Sequence, residues 1–197
     1  MIQIALALIL FFAGSPFAFA GALHDAARAG DLEKVRTLVG DGGGIDAQSE
    51  RGETPLILAT LAGQKEVVEL LIEKGAAIDG RNTGGFTPLH AAAYAGDAAI
   101  AAFLIARGAD VNDAQNKSGV TPLFPAIEEN REEVAELLIT QGADLGSKEK
   151  AGYTALTRSL FKGNEAMVLL LRAHGAECQG PDVMGEAAHQ ACLAAGK

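Results

Sequence analysis

The chain has 197 residues, of which 49% are hydrophobic and only 5% aromatic, and it carries a net charge of −9. That length and apolar content suffice for one domain with a substantial core. The acidic balance argues against phosphate-backbone binding, which needs clustered Lys and Arg, so no nucleic acid is expected; it suits solubility and a basic partner.

In chain order, the first feature is a stretch of 20 residues without a charged side chain. Residues 2–12 form an apolar run, Pro16 interrupts it, and Ala18-Phe19-Ala20 places small residues at the −3 and −1 positions of a cleavage site before Gly21. This pattern predicts a signal peptide over residues 1–20, with the mature chain periplasmic or secreted and not stably inserted in a membrane. An uncleaved anchor is the competing reading: no Lys or Arg precedes the run, and its length is near the lower limit for a span. A buried helix fits poorly, because the stretch is apolar on every side and lies outside the repeat period of the chain downstream.

Downstream, one tetrad returns. Thr54-Pro55-Leu56-Ile57, Thr87-Pro88-Leu89-His90, Thr121-Pro122-Leu123-Phe124 and Thr154-Ala155-Leu156-Thr157 start 33, 34 and 33 residues apart. Self-similarity at that interval signals a stack of repeats. Nine residues after each Thr stands Gly63, Gly96, Asn130 or Gly163; twenty-one after it stands Gly75, Gly108, Gly142 or Gly175. Asp79 and Asn112 recur in the turn that follows. One period upstream, Leu23-His24, Gly30, Gly42 and Asp46 continue the pattern as a degenerate fifth copy.

Each unit reads as a helix-turn-helix. The Thr hydroxyl caps a helix whose first residue is Pro. The first helix ends at the Gly or Asn, which tolerates a left-handed conformation. The second carries Val67, Leu70 and Leu71, then Ile100, Phe103 and Leu104, then Val134, Leu137 and Leu138 on one face. Such short helices gain stability by stacking. The expected fold is all-α: a solenoid of about five helix-turn-helix units linked by β-hairpin-like turns. The units cover about 21–50, 51–83, 84–117, 118–150 and 151–183, within a domain of 21–183. A capping helix follows over 184–197, and the last helix spans about 183–194.

Together the period, the Thr-Pro-Leu-His start of repeat three (Thr87 to His90), Gly-Ala near the second helix end and the Asp/Asn turn resemble the ankyrin repeat. The likeness covers about residues 21–179, and with the leader it resembles exported, bacterial periplasmic ankyrin-repeat proteins. Three departures stand out. Ala155 replaces Pro in repeat five, Pro125 falls inside the first helix of repeat four and should loosen that turn, and one extra residue lies between Val111 and Val120.

The resemblance implies a non-catalytic protein-protein interaction module in the periplasm or extracellular space, bound to another, unidentified protein. It also implies that His24 and His90 bridge neighbouring backbone groups. Partners of such stacks usually meet the hairpin tips and the inner face of the first helices. The corresponding positions are Glu53, Phe86, Val120 and Tyr153 before the tetrads, and Arg28, Leu61, Tyr94, Glu128 and Phe161 on the first helices. Packing between repeats is the competing explanation for the aromatic members. Two alternative functions stay open: an accessory protein handling haem or metal for oxidative-stress defence, or an inhibitor or immunity protein of an exported enzyme.

No catalytic arrangement is expected, nor a phosphate loop, since Gly42-Gly43-Gly44 closes a repeat. Glu128, Glu129, Glu132 and Glu133 read as a solvated helix surface. No cofactor or resident metal is expected. At the carboxyl end Cys178 and Cys192 read as a disulfide in an exported protein, with free thiols, or a metal held with His174 and His189, as the alternatives.

Overall fold

The computed structural model of the protein describes residues 16–40 and 44–195. Residues 1–15 of the predicted leader, and the predicted turn residue Gly42, lie outside the described residues. Five helix pairs follow one another: α1 (Pro16–Ala29) with α2 (Leu32–Gly40), α3 (Pro55–Leu61) with α4 (Lys65–Glu73), α5 (Pro88–Ala95) with α6 (Ala98–Ala106), α7 (Leu123–Glu128) with α8 (Glu132–Thr140), and α9 (Ala155–Phe161) with α10 (Glu165–Ala173). Two short helices close the chain, α11 (Pro181–Met184) and α12 (Glu186–Ala194). The first helices pack in series, α1 on α3, α3 on α5, α5 on α7 and α7 on α9; the second helices form a parallel series. The molecule is therefore an all-helical repeat solenoid.

The tetrads of repeats two and five cap their helices as their chemistry suggests. Thr54 Oγ1 accepts the Ile57 N–H at 3.2 Å and Thr154 Oγ1 accepts the Thr157 N–H at 3.4 Å. The third tetrad place holds Leu56, Leu89, Leu123 and Leu156, all fully buried. Each removes enough apolar surface from water to contribute roughly 1.5–3 kcal/mol. Val67, Leu70, Leu71, Ile100, Leu104, Val134 and Leu138 join them. Phe103 and Leu137 were expected on the same buried face but are only half-buried; Phe103 lies under the Arg107 guanidinium, 4.4 Å from its ring centre.

Helix ends fall where the Gly and Asn positions predict. Asn130 has φ +55°, alone in that region among the described non-glycine residues. Between units, hairpin-like turns close through Ser49 N–H to Glu53 carbonyl, Asn82 to Phe86 and Glu149 to Tyr153, at 2.9, 3.1 and 3.1 Å. Adjacent hairpins join laterally, Lys117 N–H to the Gly84 carbonyl at 2.9 Å and Lys150 N–H to the Ser118 carbonyl at 3.0 Å. Gly85 is required twice over in this array: its φ is +86°, and a Cβ there would sit 2.7 Å from the Asn116 Cα.

α1 is described from Pro16 and runs through Ala18-Phe19-Ala20 into the first unit. Two expectations are corrected. In repeat four, Thr121 and Pro122 do not start the helix as their counterparts do. Elsewhere the Thr carbonyl receives the N–H four residues on, as Leu58 to Thr54, Ala91 to Thr87 and Arg158 to Thr154. Here that residue is Pro125, which has no N–H, so Phe124 donates to Thr121 instead, at 3.0 Å, and α7 begins only at Leu123. The predicted terminal helix over 183–194 is two helices, because Gly185, at φ +83° and ψ 154°, breaks it.

Candidate partner-binding surface

The residue seven places after each tetrad start is the last or next-to-last of the first helix of its unit, so Arg28, Leu61, Tyr94, Glu128 and Phe161 recur at the same place along the stacked first helices. Leu61 is 39% exposed, Tyr94 53% and Phe161 47%. Arg28 is exposed as well. Glu128 is not free. Its carboxylate meets Arg158 Nε at 3.0 Å and Lys162 Nζ at 2.8 Å, and Arg158 also reaches Glu149 at 3.2 Å. The row thus has two apolar segments, Leu61–Tyr94 and Phe161, separated by a neutralised charge cluster rather than forming one aromatic stripe.

The four hairpin residues contribute differently. Glu53, Phe86, Val120 and Tyr153 are all half-buried. Glu53 and Val120 act through their carbonyls: His24 Nε2 donates to the first at 2.9 Å, and His90 Nε2 to the second, also at 2.9 Å. The bridging role implied for the two histidines is therefore present in the geometry. Thr87 sets the tautomer of His90, since its N–H at 3.3 Å and its hydroxyl at 2.8 Å both face Nδ1. Burial, partly offset by the Val120 carbonyl, lowers the His90 pKa and so favours the neutral ring. Phe86 meets the His90 ring edge-on at 5.5 Å, and Tyr153 meets Phe161 edge-on at 5.2 Å. Both rings thus pack within the stack while part of each remains at the surface.

At the carboxyl end Cys178 and Cys192 lie at disulfide distance, with Cα atoms 5.9 Å apart. His189 Nδ1 hydrogen-bonds the Gln179 carbonyl at 2.8 Å, and His174 is an exposed residue ending α10. His189 and both cysteines are therefore engaged with other groups, and among the described residues no three His, Cys, Asp or Glu side chains converge as a metal site. No helix of the described residues is long and apolar enough to cross a membrane.

Sequence reasoning missed Arg158 and Lys162. Both flank Phe161 in the chain, and Phe161 and Glu128 hold the same place in adjacent units, so the signal was present in the register.

A family model described as ankyrin repeats in three copies matches residues 23–115 and 108–182. No curated protein gives a match to this chain.

Proposed function

This chain belongs to the ankyrin-repeat family, and from that premise we propose that it is a non-catalytic module, acting in the periplasm or extracellular space, that holds another protein on the inner face of its first helices. The observation that carries this reading is the recurrence of large apolar side chains, Leu61, Tyr94 and Phe161, exposed at one repeat position. A monomer gains nothing in stability from wetting three such groups in register, whereas aromatic anchors contribute much of the energy at interface centres. The Glu128–Arg158–Lys162 cluster between them supplies polar contacts that fix orientation. Export rests on the uncharged leader with its Ala18-Phe19-Ala20 site and agrees with the paired cysteines.

The test is a photo-crosslinking side chain placed at Tyr94 in the native compartment, with Glu69 on α4 as control. A discrete adduct from position 94 and none from position 69 supports the surface; equal labelling from both, or none from 94, rejects it.

A further inference from the structure

Repeat five has no successor, and one side chain stands in for the missing hairpin. Gln179 Oε1 accepts the Thr154 N–H at 2.9 Å and the Thr157 hydroxyl at 2.6 Å, while Nε2 donates to the Gly152 carbonyl at 2.8 Å. The Gln179 carbonyl in turn receives His189 of α12. Cys178, one residue earlier, is bridged to Cys192 of the same helix. Between Gly152 and Thr154 sits Tyr153, edge-on to Phe161. Terminal helix, Gln179 and the carboxyl end of the apolar row are thus one chain of contacts.

The weak member is α12. Of its nine residues only Cys192 is buried, so the sulfur that makes the bridge is also the helix's one fully buried side chain. A helix that short does not hold its place by itself.

We propose that the Cys178–Cys192 bridge is a redox-sensitive clasp: when a dithiol reductant opens it, α12 detaches, Gln179 leaves the last hairpin, and Tyr153 and Phe161 are released from their fixed pairing. The chemistry has one accessible entry, because Cys178 is half-buried while Cys192 is fully enclosed. A thiolate of the reductant bonds to the Cys178 sulfur; the bond to Cys192 breaks, and the Cys192 sulfur departs with the electron pair and takes up a proton. The reductant's second thiol then closes its own disulfide and releases Cys178 as a thiol. The protein gains two electrons and two protons, and the reductant loses them. The consequence for partner capture rests on the surface proposed above; the release itself does not.

Hydrogen exchange on the full chain, oxidised and after treatment with dithiothreitol, tests this. Exchange at residues 152–157 and 186–194 is expected to accelerate at least about tenfold, with residues 88–106 unchanged. The chain has no Trp and two Tyr, so in a Tyr94→Phe background tyrosine emission anisotropy reports on Tyr153 alone, and it should fall on reduction. The Cys178→Ser/Cys192→Ser chain should show the reduced pattern without reductant. Gln179→Ala in the oxidised chain should loosen 152–157 while 186–194 stays protected. Unchanged exchange at 152–157 with both thiols titrated, or equal acceleration through 88–106, overturns the clasp. Failure of the partner surface shows separately, as loss of the Tyr94 crosslink with these exchange patterns intact.

Discussion

The Asp113 carboxylate is held by both terminal nitrogens of the Arg81 guanidinium, across the hairpins of two successive repeats. Asp113 is only 5% exposed. The turn Asn116–Gly119 matches Asn82–Gly85, which places the extra residue of the 34-residue interval between Asn112 and Asn116. The longer interval is therefore what lets a buried acid reach back to the preceding unit.

That pair sets an acid limit on stability. The hydrogen bond from Arg81, opposed by burial, holds the Asp113 carboxyl below its usual pKa. A lowered folded-state pKa stabilises the fold above the unfolded value of about 3.9, and the contribution is lost as pH falls below it. Asp113→Asn should cost about 1–2 kcal/mol at pH 7, less than for a fully enclosed pair because Arg81 is partly in water. The gap between the urea midpoints of the two chains should narrow as pH falls from about 5 through about 3.9 and on towards the lowered folded-state value. A constant gap over that range would remove the ion pair from the explanation.

His90 gives a second, separate pH window. Its Nδ1 faces the Thr87 N–H, so protonation there sets donor against donor. With the folded-state pKa lowered by burial, stability is full above the ordinary imidazole value of about 6.5 and declines as pH drops through it. His90→Asn should flatten the stability slope between about pH 7 and pH 5. At pH 7.5 it should cost only about 1 kcal/mol, since Asn116 Nδ2 still reaches the Val120 carbonyl at 2.6 Å. Equal slopes in both chains would exclude His90 as the titrating group.

Pro125→Ala restores an N–H four residues beyond Thr121, whose carbonyl otherwise accepts from Phe124. The gained bond and helix propensity outweigh the added freedom of the unfolded chain, for a net stabilisation of about 1 kcal/mol. Thermal unfolding should rise by roughly 2–4 °C for a chain of this size. A fall in midpoint would mean that the shortened α7 is the better-packed form.

At Asn130 the prediction discriminates between two substitutions. Its φ of +55° strains any residue with a Cβ, least of all Asn. Its side-chain oxygen also receives the Asn164 amide of the next unit. Asn130→Ala should therefore cost about 1–2 kcal/mol, and Asn130→Gly less, losing only the link to Asn164. Equal losses in calorimetry would assign the whole effect to that link.

Most of the architecture was legible because it depends on residues acting within their own unit. Thr54, Gly63 and Gly75 each solve a local backbone problem, and each solution repeats in phase. What stayed hidden depends on two units at once. The extra residue was visible as a 34, but nothing in the interval announced that Asp113 would turn back to Arg81. Glu128 looked available because its neutralising partners, Arg158 and Lys162, come from the following repeat. Gln179 carries no pattern at all, since its role arises only where the pattern stops. Gly185 was read as part of a helix because its neighbours are helix formers, yet its φ makes it a break.

The serial packing of the first helices gives the molecule a mechanical character. Load applied at its ends passes through one interface after another, so the body flexes like a leaf spring instead of resisting as a block. A ligand reaching from Leu61 to Phe161 would span three of those joints, and occupancy would show itself as stiffness along the long axis.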